Sequence, residues 1–253
     1  MLVAERRDLL LVRLNRDRSL VAKDLAQELG VSEDSVRRDL RDLAAAGLCQ
    51  RVYGGAVPVS RAVVDYRARQ AVEPESKERV AKRAAALIQP GDRAILDGGT
   101  TTLAVVRALP RDLSATVITH SPTIAAALID HPHIEIFLLG GHIYKHSAVA
   151  CGATAAEAAG AVSADLFLLG VTGVHPQEGL TTGDAEEAAM KRTLAARAAD
   201  TYVLASAEKI GAASAYKVLP LKAVTAIVTD IPPNNPIIEQ ISAEGSRIIV
   251  AER

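Results

Sequence analysis

The sequence predicts an α/β protein in two parts: a small helical unit at the front and, behind it, an α/β domain on a mostly parallel sheet. Three observations predict this. From residue 93 onward, short apolar runs alternate with alanine-rich helical stretches, the pattern of a parallel sheet buried on both faces. Before residue 58 the periodicity is helical, interrupted at Gly30 and Gly47 and closed by a Gly54-Gly55 turn. The 253 residues are 49% hydrophobic and 23% charged, enough for a substantial core and for a small plus a medium domain.

The front unit, residues 1–58, is read in order. Residues 2–16 form an amphipathic helix, with Leu2, Leu9, Leu10, Val12 and Leu14 set among charges. Residues 17–19 break it. A second helix follows at about 21–29, with Leu25, Ala26 and Leu29 inward, and Gly30 ends it. The third helix starts behind Ser32, a good N-cap, and stops at Gly47. In it, Val36, Leu40 and Leu43 recur at i, i+4 and i+7 and form a packing stripe. The opposite face carries Asp34, Arg38, Arg41 and Ala45, with Arg37 on one flank and Ser35 and Asp42 on the other. The run LCQRVYGGAVP reads as a β-hairpin wing with Arg51 and Tyr53 near its tip. Taken alone, a helix with three arginines is a solvated surface more often than anything else. The full order of helix, helix, turn, helix and wing points to the DNA major groove. The residues expected at DNA are Ser32, Ser35, Arg37, Arg38, Arg41, Arg51, Tyr53, Gly54 and Gly55. Their effect must come from placement, because residues 1–58 hold ten Lys and Arg against nine Asp and Glu, and the whole chain has a net charge of −1.

Residues 59–75 read as a linker of mixed charge, partly helical or extended. A helix over 76–89, stopped by Pro90-Gly91, opens the α/β domain at 76–253. Strands are expected at Arg93–Asp97, Ala115–Thr119, Ile134–Leu139, Leu166–Val171, Thr201–Ala205, Val224–Thr229 and Arg247–Val250. Helices are expected at about 101–109, 122–130, 153–160 and 184–199. Ligands of such sheets sit beyond the carboxyl ends of the strands. There the chain places Asp97, Gly98, Gly99, Thr100, Thr101 and Thr102, a turn that runs straight into a helix. Backbone N–H groups, threonine hydroxyls and a helix N-terminus together suit an anion, although the turn is no Walker A loop and, taken alone, such a turn is a tight connection more often than a ligand site. His120 and Ser121, Gly140 and Gly141, Thr172 and Gly173, and Lys209 follow later strands. Glu187 and Lys191, at i and i+4, are either a surface ion pair or a pair facing the same pocket.

Several classes are excluded or disfavoured. No apolar run approaches the roughly 20 residues of a membrane span, and no signal-peptide pattern is present. Cys49 and Cys151 have no CxxC partner, so a reducing, cytoplasmic setting is expected. Cys49 is read as a packing residue, with a reactive thiol as the alternative. His142 and His146 are four apart but follow a glycine pair outside any helix, so no metal and no cofactor are expected. No nucleophile elbow or catalytic triad is visible, and no catalytic residue is assigned.

The residues at 31–57, VSEDSVRRDLRDLAAAGLCQRVYGGAV, resemble the signature of the bacterial DeoR/GlpR regulators. So do DGGTTT at 97–102, LLGG at 138–141, GLTTGDAEEAAMKR at 179–192 and IVTD at 227–230. The resemblance covers nearly the full length. It implies a winged helix-turn-helix on a sensor domain similar in fold to ribose-5-phosphate isomerase. It also implies repression of a sugar-metabolism operon through double-stranded operator DNA, relieved by a phosphorylated sugar, in a homo-oligomer, dimer or tetramer. The chain departs from the family at Ser35, where threonine is usual, at Tyr53 and His120, where histidine and asparagine are usual, and at Ser206, Ala207 and Glu208. Two alternatives remain open: a sugar-phosphate isomerase carrying a DNA-binding module, and a DNA-binding regulator whose sensor domain only oligomerises. In the first, Asp97, Asp184 and Glu208 are the candidate bases.

Overall fold

The computed structural model describes residues 1–60, 62 and 65–252; Arg61, Val63 and Val64 of the predicted linker, and Arg253, lie outside the described residues. The front unit holds α1 (Val3–Asp17), β1 (Leu20–Val21), α2 (Ala22–Leu29), α3 (Glu33–Ala45), β2 (Gln50–Val52) and β3 (Gly55–Val57). Its core is Leu10, Leu14, Leu25, Val36, Leu40, Leu43 and Cys49, so the α3 stripe lies where its spacing predicts. On α1 the outcome differs. Leu2 and Val12 face solvent, and Arg6 is buried instead, donating from Nε to Asp39 Oδ2 at 2.5 Å. Arg7 Nε donates to the other oxygen at 3.1 Å. Asp39 therefore belongs to the packed side of α3, where two arginines of α1 offset the cost of burying it.

The wing gains a strand that the sequence does not announce. β1 pairs with β3, giving the order β1-β3-β2, with Val21 opposite Gly55. The tight turn is Tyr53-Gly54, and Gly54 adopts a left-handed φ of 80°. Gly55 lies inside β3, where a Cβ would stand 1.7 Å from the Leu20 carbonyl oxygen. One glycine makes the turn and the other admits the third strand.

Beyond the wing, α4 (Tyr66–Gln70) and α5 (Pro74–Ala85) lead into the α/β domain. Its seven parallel strands are β4 (Arg93–Leu96), β5 (Ala115–Thr119), β6 (Ile134–Leu138), β9 (Ala164–Gly170), β12 (Ala198–Leu204), β14 (Ala226–Thr229) and β15 (Ile248–Val250). They coincide with the seven expected strands. Between them run α6 (Thr100–Ala108), α7 (Pro122–Leu128), the hairpin β7 (His142–Tyr144) and β8 (Val149–Cys151), and α8 (Ala153–Gly160). The second half adds β10 (Gly173–His175), β11 (Gly179–Thr182), α9 (Ala185–Ala195), β13 (Tyr216–Leu219) and α10 (Pro236–Ala243). The short strands β7, β8, β10, β11 and β13 and helix α10 are additions to the predicted pattern.

Alternation along each strand decides the layers. Ala94 and Leu96 turn to the face covered by α5, α6 and α7, through Val80, Val105 and Ile124. Ile95 turns to the other face, with Ala155, Met190 and Ile238 of α8, α9 and α10. The strand order is β15-β14-β12-β9-β4-β5-β6. The chain winds outward from β4 through β5 to β6, then returns to place β9 on the other side of β4. The carboxyl ends of β4 and β9 therefore flank the topological switch point, where open α/β sheets leave a crevice.

Candidate functional site

Two sites emerge, an exposed face on the front unit and a buried cavity at the switch point. On α3, Ser32 caps the helix by accepting a hydrogen bond from the Ser35 backbone N–H at 3.2 Å, and the two hydroxyls lie 2.9 Å apart. Arg38 and Arg41 are exposed on the side away from the packing stripe. Among the described residues their guanidinium groups make no hydrogen bond or ion pair, and neither does that of the exposed Arg51 of β2. Arg37 differs. Its guanidinium donates to Glu33 Oε1 at 2.6 Å, which holds it along the helix surface. Tyr53 is fully exposed at the wing tip, beside Gly54. Seven predicted DNA residues are thus surface groups of one unit, Gly55 is buried in the sheet, and Arg37 is already paired.

At the switch point the loop after β4 carries Asp97, which is fully buried. Its Oδ1 accepts from the Gly98 backbone N–H and from His120 Nε2, both at 2.8 Å. Its Oδ2 accepts from the Gly170 backbone N–H at 2.8 Å and from Lys191 Nζ at 2.5 Å. Burial alone pushes this carboxyl up, but Lys191 and the His120 hydrogen bond outweigh it and hold Asp97 at about 2. The same carboxylate, with Glu187, raises the Lys191 ammonium against the opposing effect of burial. His120 Nδ1 faces the Ala150 carbonyl at 2.8 Å, so both ring nitrogens face acceptors. Asp97 is a saturated hub tying β4, β5, β9 and α9 together.

Above the hub lies a narrow cavity of about 30 Å³. Of the residues predicted to meet an effector, Gly98, Gly99, Thr100, Thr101, Thr102, Thr172, Glu187 and Lys209 line it. Asp97 and His120 lie beneath its wall. Ser121, Gly140, Gly141 and Gly173 do not line it. Ser121 bonds to the Ala148 carbonyl, and Gly141 and Gly173 admit close packing, where a Cβ would press on Ala155 and on the Ala212 carbonyl.

The Glu187–Lys191 pair is buried and faces this cavity, at 3.3 Å, so the surface reading gives way. Glu187 Oε2 also accepts from Ser147 and Thr182, at 3.2 and 3.0 Å. Lys209 donates to Thr101 Oγ1 at 3.0 Å and to the Leu204 carbonyl at 3.2 Å. Burial pulls its ammonium down to about 8; Glu208 opposes this, and Lys77, Arg69 and Lys191 add to it.

The sequence reading misses the cover. Ala62, Arg69 and Val72, from the segment following the wing, and Lys77 of α5 form one wall. Arg69 is 8% exposed and Lys77 4%. Arg69 Nη2 donates to the His146 carbonyl at 3.1 Å, and Lys77 Nζ donates to the Arg69 carbonyl. Nothing at 59–77 signals this, because a buried arginine and an exposed one look alike in a mixed-charge stretch. Lys191 was legible as the partner of Glu187. Cys49 and Cys151 are buried free thiols; burial raises both, Cys151 to about 12, so Cys49 is a packing residue. Among the described residues, no group of three or more His, Cys, Asp or Glu is arranged to hold a metal.

The fold and the two sites together define a winged helix joined to an α/β sensor domain. A family model described as the DeoR C terminal sensor domain matches residues 72–231, and one described as the DeoR-like helix-turn-helix domain matches residues 6–62. The chain is 31% identical over 242 residues to the HTH-type transcriptional repressor GlcR of Bacillus subtilis, covering 95% of this chain and 93% of that one. It is 30% identical over 251 residues to the HTH-type transcriptional regulator GlpR of Haloferax volcanii, covering 98% of each. Among solved structures, ribose 5-phosphate isomerase A of Methanocaldococcus jannaschii is similar over 52% of each chain, with 18% identity and a TM-score of 0.39. The chain belongs to the DeoR family of helix-turn-helix transcriptional regulators.

Proposed function

We propose that this regulator is a repressor of a sugar-metabolism operon, and that a phosphorylated sugar in the switch-point cavity modulates its grip on operator DNA. Residues 1–58 are the DNA-binding domain, 59–75 the linker and 76–253 the effector-sensing domain. Arg38 and Arg41, with Ser35 at their flank, reach base edges or nearby phosphates. Arg37, Arg51 and the wing contact the DNA backbone. The observation that carries the effector reading is the cavity wall, where four buried cations, Arg69, Lys77, Lys191 and Lys209, stand with two carboxylates, Glu187 and Glu208, and a third, Asp97, is spent on Lys191 beneath the wall. Such an excess, collected away from water, favours an anion.

The connection to DNA runs through the cover. Ser60 Oγ, three residues past β3, donates to the Thr172 carbonyl, and Arg69 Nη1 donates to the Ala62 carbonyl at 3.5 Å. At the end of α1, Arg18 Nη2 donates to the Ile210 carbonyl at 3.3 Å, next to Lys209. A sugar-sized guest in so narrow a cavity displaces its cover, and the cover is the segment that holds the winged helix.

The non-enzymatic reading is favoured by the carboxylates. Asp97 is saturated by four donors, and Asp184 accepts from the Glu187 backbone N–H at 2.9 Å as the cap of α9. That leaves Glu208 as the one of these three candidate bases with a buried, unpartnered oxygen among the described residues. Assembly into a homo-oligomer is supported by β6, an edge strand on which Phe137 and Leu138 are about half exposed. No helix among the described residues is long and apolar enough to cross a membrane, and we place the regulator's work in the cytoplasm. The test is a thermal-shift screen of phosphorylated sugars on the full chain, followed by gel retardation on captured genomic DNA. A sugar phosphate that raises the melting temperature and releases the DNA is expected. No shift from any phosphorylated sugar, with DNA binding intact, leaves the sensor domain as an oligomerisation module.

A further inference from the structure

Two buried polar atoms on the cavity wall have no hydrogen-bond partner among the described residues. One is a donor, Arg69 Nε, and the other an acceptor, Glu208 Oε2. Both side chains are more than nine-tenths buried. Unmet groups of this kind cost stability unless something else meets them.

The surroundings explain why they do not satisfy each other. A guanidinium has five N–H donors in a planar fork. Arg69 spends two of its nitrogens on neutral carbonyls, of Ala62 and His146. The carboxylate exerting the strongest pull on it is that of Glu187, whose oxygens are already engaged by Lys191, Ser147 and Thr182. Glu208, a residue of the cavity wall, receives the Ser206 hydroxyl on Oε1 at 2.9 Å, which leaves Oε2 buried and without a partner among the described residues. Lys77 and Lys209 both feel Glu208 and Arg69, with Glu73 also acting on Lys77 and Lys191 on Lys209.

We propose that Arg69 and Glu208 are the two ends of one ligand subsite, Arg69 receiving the phosphate of a phosphorylated polyol and Glu208 accepting a hydrogen bond from one of its hydroxyls. The inference deepens the effector reading above and rests on it. An anionic ligand oxygen completes the guanidinium at Nε with a charge-assisted bond, stronger than its bonds to the neutral carbonyls. A hydroxyl donor completes Glu208, which no phosphate dianion can do. Inorganic phosphate fits one end, an unphosphorylated sugar the other, and only a molecule with both groups fits the whole.

The experiment is calorimetric titration of the full chain with inorganic phosphate, and with a panel of glycerol 3-phosphate, glucose 6-phosphate, fructose 1-phosphate and ribose 5-phosphate. Wild type, Arg69→Met, Arg69→Lys and Glu208→Ala are compared, each with its melting curve. Wild type is expected to bind at least one phosphorylated polyol more tightly than inorganic phosphate. Arg69→Met should lose tenfold or more toward both, and Arg69→Lys should recover part of that loss. Glu208→Ala should lose tenfold or more toward the polyol phosphate while binding inorganic phosphate as well as wild type or better. If wild type binds a polyol phosphate and the variants match it, the subsite is wrong and the effector reading stands. If wild type binds neither inorganic phosphate nor any member of the panel, both fall. Should Arg69→Met fail to fold, Arg69→Lys and Glu208→Ala decide the matter by their opposite preferences for the two probes.

Discussion

Arg38 and Arg41 on α3 and Arg69 and Lys209 in the cavity carry the same charge in opposite surroundings. The first two stand in water without an ion-pair partner, and the second two are buried, Lys209 with more positive than negative company. The exposed pair costs the folded chain almost nothing, and on DNA it trades hydration and counterions for phosphates and base edges, so its binding weakens with salt. The buried pair is desolvated before any ligand arrives, so a fitting anion is screened little and a poor fit leaves groups unpaired. The acids follow the same division. Asp39 and Asp97 are both buried, but Asp39 joins two helices with two arginines, whereas Asp97 joins three strands and a helix with four donors.

The comparison breaks first at its most buried point. Asp97→Asn leaves Lys191 leaning on Glu187 alone and should cost about 3 kcal/mol, roughly 6 to 12 °C in the melting temperature of a chain this size. Because Asp97 is held at about 2 against an ordinary 3.8, its stabilisation is complete above the ordinary value and is lost as the pH falls through about 2. The variant should lack that acid limb in a pH series of denaturant melts. A melting temperature within a degree of wild type would show the hub to be dispensable.

Next come the exposed arginines. Arg38→Ala should weaken operator binding by ~1–3 kcal/mol and relax one base position, with little change in folding. Arg37→Ala, whose side chain already leans on Glu33, should cost less than about 1 kcal/mol, uniformly across sequences. Equal losses, or no loss at Arg38, would remove the distinction between free and paired arginines. Both are read by fluorescence anisotropy over a salt series.

The smallest expected effect is the pH dependence of the buried pair. Lys209, pulled down to about 8, loses its proton in the folded chain while the unfolded chain keeps it to about 10.5. Affinity for an anionic ligand should therefore fall severalfold as the pH rises through 8. Over the same interval up to 10.5 the contribution of this residue to stability should rise, because the unfolded chain then binds more protons. Calorimetry at pH 7 and pH 9 measures the first, and flat affinity would mean that Lys209 does not face the ligand.

Much of this molecule was legible as pattern. Seven apolar runs became the seven strands of the large sheet, and Val36, Leu40 and Leu43 became the packing face of α3. Local periodicity reports which side of an element is buried, and that suffices when the element is long and apolar. It fails for short strands that are not apolar runs, such as β7 and β10, and for Arg6, Asp39 and Arg69, charged residues that burial makes structural. It also assigned Gly141 and Gly173 to a ligand, although each is explained by a neighbouring segment that a Cβ would press on.

The sequence by itself determined the order of helix, helix, wing and alternating strands, and the loops that end at the sheet's carboxyl edge, because these follow from spacing along one chain. Only the tertiary structure decided which loop residues meet in the cavity, that Asp97 is spent on Lys191 and His120, and that Arg69 reaches back from the linker to cover the site. Those pairings join residues up to 108 positions apart. They are set by how strands and helices stack, and no local pattern in the chain encodes a partner at that distance.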